Sequence, residues 1–431
     1  MRTDTNGSGW PLDGIRRPVG LLLCVAALLL YGLGRPCAAQ VRAAGMAGAY
    51  TALASGTDAP AWNPANLALY RERGVVLLAA HAGIGNNSYS LDDYRQLNGA
   101  YWGEAEKQTI LERIEGNSFD LAGSGSVSAL SSAWGDWAVS SRTRAASTVS
   151  VPKEYLRLIL YGNTVGESFD LAGADGHGVV FSEFALCGGR PLEALLPRLG
   201  SWAGEWTVGV SLKLLRGWSY AQVLEAEGGL TTTETSLDGS GFVRTALAQG
   251  GWGFACDLGV AGRLADGWYA GLSIRDLFGA IRWDEEAEER TESFDASDVT
   301  LEEIDGETVE TESESIARAA WRSDLPVTWA FGIARRLDRW SLAADLAWAS
   351  GDGFGAPDAP RAALGVEYRV RDWLLLRGGG SLGGLEGAGL AGGLGLGWRT
   401  IRLDLALHSW GTFNPFSSNG LGLGLGLGLA L

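Results

Sequence analysis

The last stretch of the chain, Leu421–Leu431, reads LGLGLGLGLAL. Leu421, Leu423, Leu425, Leu427, Leu429 and Leu431 fall on one side of an extended chain, and Gly422, Gly424, Gly426, Gly428 and Ala430 on the other. A period of two is the signature of a strand with one apolar face. Eleven residues match the 9–11 that a tilted membrane strand needs. Six leucines in a row facing water would invite aggregation. The tail therefore reads as the closing strand of a membrane barrel.

The same alternation recurs upstream. Trp340, Leu342, Leu346 and Trp348 oppose Ser341, Ala343, Asp345 and Ala347, and Val327, Trp329, Phe331 and Ile333 oppose Thr328, Ala330, Gly332 and Ala334. Trp206, Val208, Val210, Leu212 and Leu214 oppose Thr207, Gly209, Ser211 and Lys213; Ile401, Leu403, Leu405 and Leu407 oppose Arg402, Asp404, Ala406 and His408. Alternation alone also fits a soluble sandwich, whose water-facing side carries longer polar residues. Here the second face is Gly, Ala and Ser with scattered charges, which suits a barrel interior with the bulky face in lipid. Trp340 and Trp348 lie about 21 Å apart in height on a strand tilted ~40°, close to the spacing of two aromatic girdles.

The expectation is an all-β, transmembrane antiparallel barrel of fourteen or sixteen strands. About sixteen candidate strands are found, the weakest being 241–249. Short turns are expected at Leu337-Asp338, Arg371-Asp372 and Arg399-Thr400, and longer connections at 350–359, 380–386 and 410–419. EAEKQTILERI and VPKEYLRLILYGN carry helical spacing, the second with Pro152 at its start and Gly162 as a stop. They are expected as short loop helices at the barrel mouth.

At the N-terminus, Arg16 and Arg17 precede an apolar run from Val19 to Leu33, with Cys37-Ala38-Ala39 before Gln40. This is a signal-peptide pattern, too short for a membrane helix, and assigns 1–39 to export. That segment holds four basic and two acidic residues, so the remainder moves from a net charge of −16 to −18. Such an acidic chain is a poor nucleic-acid binder. Beyond the signal peptide, Cys187 and Cys256 read as free thiols rather than a disulfide framework. From Asp284 to Ser315 the chain has fifteen acidic residues and one arginine, Arg290. It reads as a long solvated loop, 284–316, without EF-hand spacing.

Residues 42–67 read RAAGMAGAYTALASGTDAPAWNPANL. Gly45, Gly48 and Gly56 permit close backbone approach, and Asn63-Pro64 fixes an extended step. Gly45, Gly48, Ala49, Ala52, Asp58, Asn63, Pro64, Ala65 and Leu67 form a pattern that resembles the N-terminal segment of the FadL/PorV-like family of outer-membrane barrels, with Ser55-Gly56-Thr57 standing where a second acidic residue is usual. Ala47 departs from it where a glycine is usual. LRLILYGN and GWGFACDLGVA look like stretches of poorly characterised PorV-like relatives. The resemblance implies a fourteen-stranded barrel in the outer membrane, 73–431, with 40–72 folded inward as a hatch. Its hatch motif here is Gly45, Gly48, Asp58, Asn63, Pro64 and Ala65. FadL-type members carry hydrophobic small molecules; PorV-like members serve a secreted protein as partners of a secretion machine.

Among the inward positions, Lys213, Asp345, Arg402, Asp404 and His408 are the lumen-lining candidates. Gly379-Gly380-Ser381-Leu382-Gly383 matches G-x-S-x-G, a pattern that requires a strand-turn-helix elbow, whereas these residues continue a glycine-rich strand. His81, His177 and His408 lack metal-ligand spacing. No cofactor, metal or catalytic set is expected, and the chain is read as a non-enzyme. The expected partners are outer-membrane lipid, a hydrophobic ligand and a secretion-machinery partner.

Overall fold

The computed structural model describes residues 41–162, 165–195, 204–296, 299–300, 310–350, 359–384 and 386–431. The expected signal peptide, 1–39, lies outside the described residues. The strands are β1 (Arg73–Asn86), β2 (Ser118–Trp134), β3 (Trp137–Pro152), β4 (Ser168–Asp170), β5 (Asp175–Pro191), β6 (Glu205–Thr232) and β7 (Ser236–Ala248). They continue as β8 (Gly250–Arg263), β9 (Trp268–Glu285), β10 (Glu288–Asp295), β11 (Val299–Thr300), β12 (Glu310–Ala317) and β13 (Trp321–Asp324). The last seven are β14 (Val327–Arg336), β15 (Trp340–Ser350), β16 (Arg361–Arg371), β17 (Leu374–Gly383), β18 (Gly389–Trp398), β19 (Ile401–Trp410) and β20 (Gly420–Ala430).

Fourteen of them close a ring, β1-β2-β3-β5-β6-β8-β9-β14-β15-β16-β17-β18-β19-β20, with every neighbouring pair antiparallel. The seam is β20 on β1, from Gly74 opposite Ala430 to Gly85 opposite Gly420. Closure pairs both edges of the ring itself.

The leucine–glycine tail is this seam strand. Leu421, Leu423, Leu425 and Leu427 point outward and exposed, while Gly420, Gly422, Gly424 and Gly426 are buried. On β6, Val210, Leu212 and Leu214 face out, and Thr207, Ser211 and Lys213 are buried inside. The ring is therefore the reverse of a soluble protein: greasy outside, small and polar inside. Replacing Leu425, midway along β20, with arginine is expected to cost about 2–4 kcal/mol in lipid. Folding yield into vesicles, scored by heat-modifiable gel migration, measures this; an unchanged yield would remove Leu425 from the lipid face.

The weakest candidate strand, 241–249, belongs to β7, which is not in the ring. The second half of β6 rises beyond it and pairs with β7, β7 with β10, and β10 with β12. The acidic stretch 284–316, expected as a solvated loop, thus contributes three strands of an outer sheet, β10, β12 and the short β11, which pairs with β7. Pairing on both edges of β10 orders it, and Arg244, which bridges to Glu225 and Glu289, dilutes the like charge. The loop helices occur at Glu104–Glu112 and Lys153–Tyr161. The second packs Tyr155 and Leu158 on Phe169, Leu230 and Leu237, giving the outer end a small core.

Short connections, including 135–136, 337–339, 372–373 and 399–400, lie at one end of the ring, where Leu431 N–H donates to Arg73 C=O. The connection from β1 to β2, 87–117, lies at the other end, whereas β5 and β6 join at the short-turn end, where Pro191 pairs with Thr207; most of the expected connection at 350–359 lies outside the described residues.

Candidate functional site

The lumen contains the chain's own N-terminal segment. Val41–Ala44, Ala59–Trp62 and Asn66–Tyr70 form single helical turns. Pro60 sits in the first turn of the second, and Asn63, before Pro64, is extended at φ −151°. A left-handed step at Ala47 and Gly48 reverses the chain; the alanine there accepts a backbone conformation that glycine adopts freely.

Glycine on the wall makes room for this segment. A Cβ at Gly209 would lie 2.3 Å from Ala65 N and Pro64 C, and one at Gly259 2.0 Å from Asn63 Oδ1. At Gly379 and Gly393 the hypothetical Cβ meets the backbone of Met46 and Gly45. The segment thus touches bare wall from β6 round to β18, in the half of the ring nearer the short turns.

Side chains then fix it. Asp345 Oδ2 on β15 accepts the N–H groups of Tyr50 at 3.0 Å and Thr51 at 2.8 Å. Asn63 Nδ2 donates to Val260 C=O at 3.0 Å while its Oδ1 accepts from Ala65 N–H at 3.1 Å. Thr207 Oγ1 donates to Ala65 C=O at 2.9 Å, and Asn66 Nδ2 ties Thr51 and Ala54 C=O together. Asp58 accepts from Tyr50 Oη at 2.9 Å and pairs with Arg42 at 3.5 Å. Burial lifts the Asp58 carboxyl to about 6, against the pull of Arg42 and the Tyr50 hydroxyl.

An acid raised above its ordinary 3.8 is favoured in the docked state when protonated. Docking therefore tightens as pH falls from about 6 towards 3.8, by at most about 3 kcal/mol, and loosens above it. Hydrogen exchange of the Tyr50–Leu69 amides is expected to be more protected at pH 5 than at pH 8, after correction for intrinsic rates. Asp58→Asn should abolish the difference.

Two ionic clusters brace the inner wall. Lys213 Nζ lies 2.8 Å from Asp257, 2.7 Å from Asp276 and 3.4 Å from Glu183. Glu183 also takes Arg142 at 2.9 Å and Arg144 at 3.2 Å, and Arg144 reaches Asp276 at 3.0 Å. Asp276 is in the left-handed region at a break in the β8–β9 register, and that bulge turns its carboxylate towards Lys213. The second cluster is Arg377, bonded to Glu367 at 2.7 Å and Asp404 at 2.6 Å.

Between the segment and the outer end is a chamber of about 310 Å³, with Ala43, Ala47, Thr51 and Trp62 as its floor and Arg142, Asp345 and His408 on its wall. A second cavity of about 370 Å³ lies towards the short turns, lined by Arg42, Arg336, Glu367, Arg377, Arg402 and Asp404.

Of the candidate residues, Gly45, Gly48, Asp58, Asn63, Pro64 and Ala65 all lie in the inserted segment, Gly48 beneath the Arg361 guanidinium. Lys213 and Asp345 are buried in the lumen. Asp404 and His408 share a face but do not meet: Asp404 bonds Arg377, while His408 packs against His81 and Trp410. Arg402 is exposed near the short turns, away from the chamber. Sequence reasoning passed over Arg142, Glu183, Asp257 and Arg377. Inward parity beside lipid-facing neighbours marks Glu183, before exposed Phe184, and Asp257, before exposed Leu258. Ser381 lies within β17, so the G-x-S-x-G match has no elbow. Cys187 and Cys256 are free thiols.

A closed ring with leucine outside and its own N-terminal segment inside defines an outer-membrane-type β-barrel plugged from within. The chain belongs to the family described as "Family of unknown function (DUF5723)", whose model matches residues 64–248 and 235–406. No curated protein matches it. Among solved structures, the fold is shared with the toluene transporter TodX of P. putida (TM-score 0.50, 12% identity, 91% of this chain and 98% of that one). It is also shared with the Ralstonia pickettii toluene transporter TbuX (0.51, 13%, 91% and 98%) and a Pseudomonas aeruginosa FadL homologue (0.50, 13%, 91% and 97%). At these identities the likeness is one of fold.

Proposed function

We propose that this protein is an outer-membrane channel that binds or passes apolar small molecules, with residues 40–72 as its internal hatch. Residues 1–39 direct export, and the short turns face the periplasm. The observation that carries the reading is the seating of the segment. It rests on glycine-lined wall and hangs on a few hydrogen bonds, with a chamber directly above it. Its side chains pack as well: Met46, Tyr50, Leu53 and Leu69 form one buried cluster with Ala261, Tyr269, Ala334, Ala343 and Ala363 of the wall. TodX and TbuX, of the same fold, are described as toluene transporters, and the resemblance of residues 42–67 points the same way. In this reading Asn63, Pro64 and Ala65 seat the hatch with Gly45, Gly48 and Asp58, Asp345 latches it, and Lys213, Arg402, Asp404 and His408 line the route.

The test is uptake of a hydrophobic tracer by liposomes carrying the protein, compared with a deletion of residues 40–66 and with Asp345→Ala. The alanine strips two buried N–H groups of their acceptor, a loss of about 1–3 kcal/mol each, and tracer flux should change about tenfold or more. Equal flux through all three proteins would sink the channel reading.

A second reading is a PorV-like barrel that anchors a secreted protein. It is favoured by the outer sheet, whose strand β12 is exposed along all eight residues and pairs only with β10 among the described residues. Crosslinking that recovers a stable protein partner, without small-molecule flux, would decide for it.

A further inference from the structure

The two ends of the wall present arginine to the lipid side differently. Towards the outer end one outward row crosses four strands: Arg216, Trp252, Arg282 and Arg322 are successive register partners on β6, β8, β9 and β13. Each of its three cations has a carboxylate beside it. Arg216 pairs with Glu285 at 2.5 Å, Arg282 with Asp284 at 3.6 Å and Arg322 with Asp324 at 2.6 Å. The charges of that row cancel.

At the short-turn end four outward arginines stand uncompensated. Arg335 shares the outward parity of Phe331 on β14, lies 5.4 Å from the centroid of the Trp268 ring opposite it, and keeps an Nε without a hydrogen-bond partner. Arg73 on β1 is exposed opposite Trp134, itself exposed. Arg399, left-handed in the β18–β19 turn, lies 5.7 Å from the ring of exposed Trp398. Arg371 pairs with Leu374, which has the outward parity of Leu376, next to exposed Trp373. The ion pairs at this end go to Arg71, Arg190 and Arg263 instead, and among the described residues none of the four makes one. Asp338 and Asp372, carboxylates of the short turns, line the cavity inside the ring.

Position and charge together indicate what meets this rim. Outward tryptophans of a barrel sit at the level of the lipid headgroups, and a guanidinium beside such a ring is held at the same depth. Its planar fork matches a phosphate. A zwitterionic lipid brings its phosphate together with an ammonium, which the arginines repel; an anionic lipid brings the phosphate without that cation.

We propose that the short-turn rim of the barrel selects anionic phospholipids, with Arg73, Arg335, Arg371 and Arg399 each taking a headgroup phosphate beside a tryptophan. In the orientation proposed above, this is the periplasmic leaflet. The inference is independent of what the lumen carries. Native mass spectrometry tests it on the intact protein, equilibrated in detergent with equal amounts of phosphatidylglycerol and phosphatidylcholine of the same acyl chains. The two lipids share phosphate and tails and differ in net charge. One arginine near an anionic surface contributes about fivefold, so retained phosphatidylglycerol is expected to exceed phosphatidylcholine by about that factor. Arg73→Gln, Arg335→Gln, Arg371→Gln and Arg399→Gln together should bring the ratio to about one. Lysine at the same four positions should preserve most of the excess, because net charge separates the two lipids. Arg282→Gln with Arg322→Gln, at the opposite rim, should leave the ratio unchanged. Heat-modifiable migration confirms the closed ring of each variant, and Arg399→Gln alone, a single change in an exposed turn, should already lower the ratio. Equal retention of the two lipids by the wild type overturns the proposal. So does an excess that survives the four glutamines, is lost with the four lysines, or is abolished by the outer pair.

Discussion

Lys213→Ala is expected to destabilise the barrel by about 3–5 kcal/mol, the usual loss when one partner of a buried ion pair is removed. The side chain is 2% exposed and its ammonium sits among three carboxylates, two of them within 2.8 Å. Without it, Asp257 keeps the backbone N–H of Asp276 as its remaining hydrogen-bond donor, and Asp276 and Glu183 must share Arg142 and Arg144. The midpoint of heat-modifiable gel migration should fall on the order of 5 °C or more. Lys213→Met combined with Asp257→Asn should recover much of the loss, because a neutral, filled cluster avoids the uncompensated charge. An unaltered midpoint in Lys213→Ala would mean that the carboxylates find water or other donors, and the cluster would then contribute little to stability.

The second large effect concerns the seat of the inserted segment. Gly209 on β6 and Gly259 on β8 are register partners, so their missing side chains open one continuous gap. Asn63, Pro64 and Ala65 fill it. Valine at both positions would place methyl groups where the segment's backbone and the Asn63 amide now lie, and backbone cannot step aside as a flexible side chain can. Overpacking costs about 1–3 kcal/mol per site, so the pair should displace the segment while leaving the ring intact. A protease added from the short-turn side is expected to cleave within 55–67 at least about tenfold faster, and leakage of a small polar solute from liposomes should rise in parallel. Protection equal to the wild type, with the ring folded, would show that the segment does not depend on this gap.

Much of the fold was readable because period-two alternation is a local property. The tail, the turns near 337, 371 and 399, the inward parity of Lys213 and Asp345, and both loop helices each follow from a dozen neighbouring residues. The strand count, fourteen or sixteen from the sequence, is fourteen in the closed ring. Strand β7 alternates too weakly to declare a wall strand, and only the direction of the β6 extension shows that it stands outside the ring. Asp276 escaped notice because a bulge breaks the alternation at its own position.

What the sequence determined by itself is which side of each strand meets lipid, and hence that this chain closes into a ring with small residues inside. Which inward side chains meet was decided by the tertiary structure alone: Asp345 holds Thr51 across 294 residues of chain, and His81 meets His408 through the seam of the barrel. Alternation assigns a face but no angle around the ring. That angle comes from the register of strand pairing summed round the closed wall, and from the path of a segment that no strand periodicity describes.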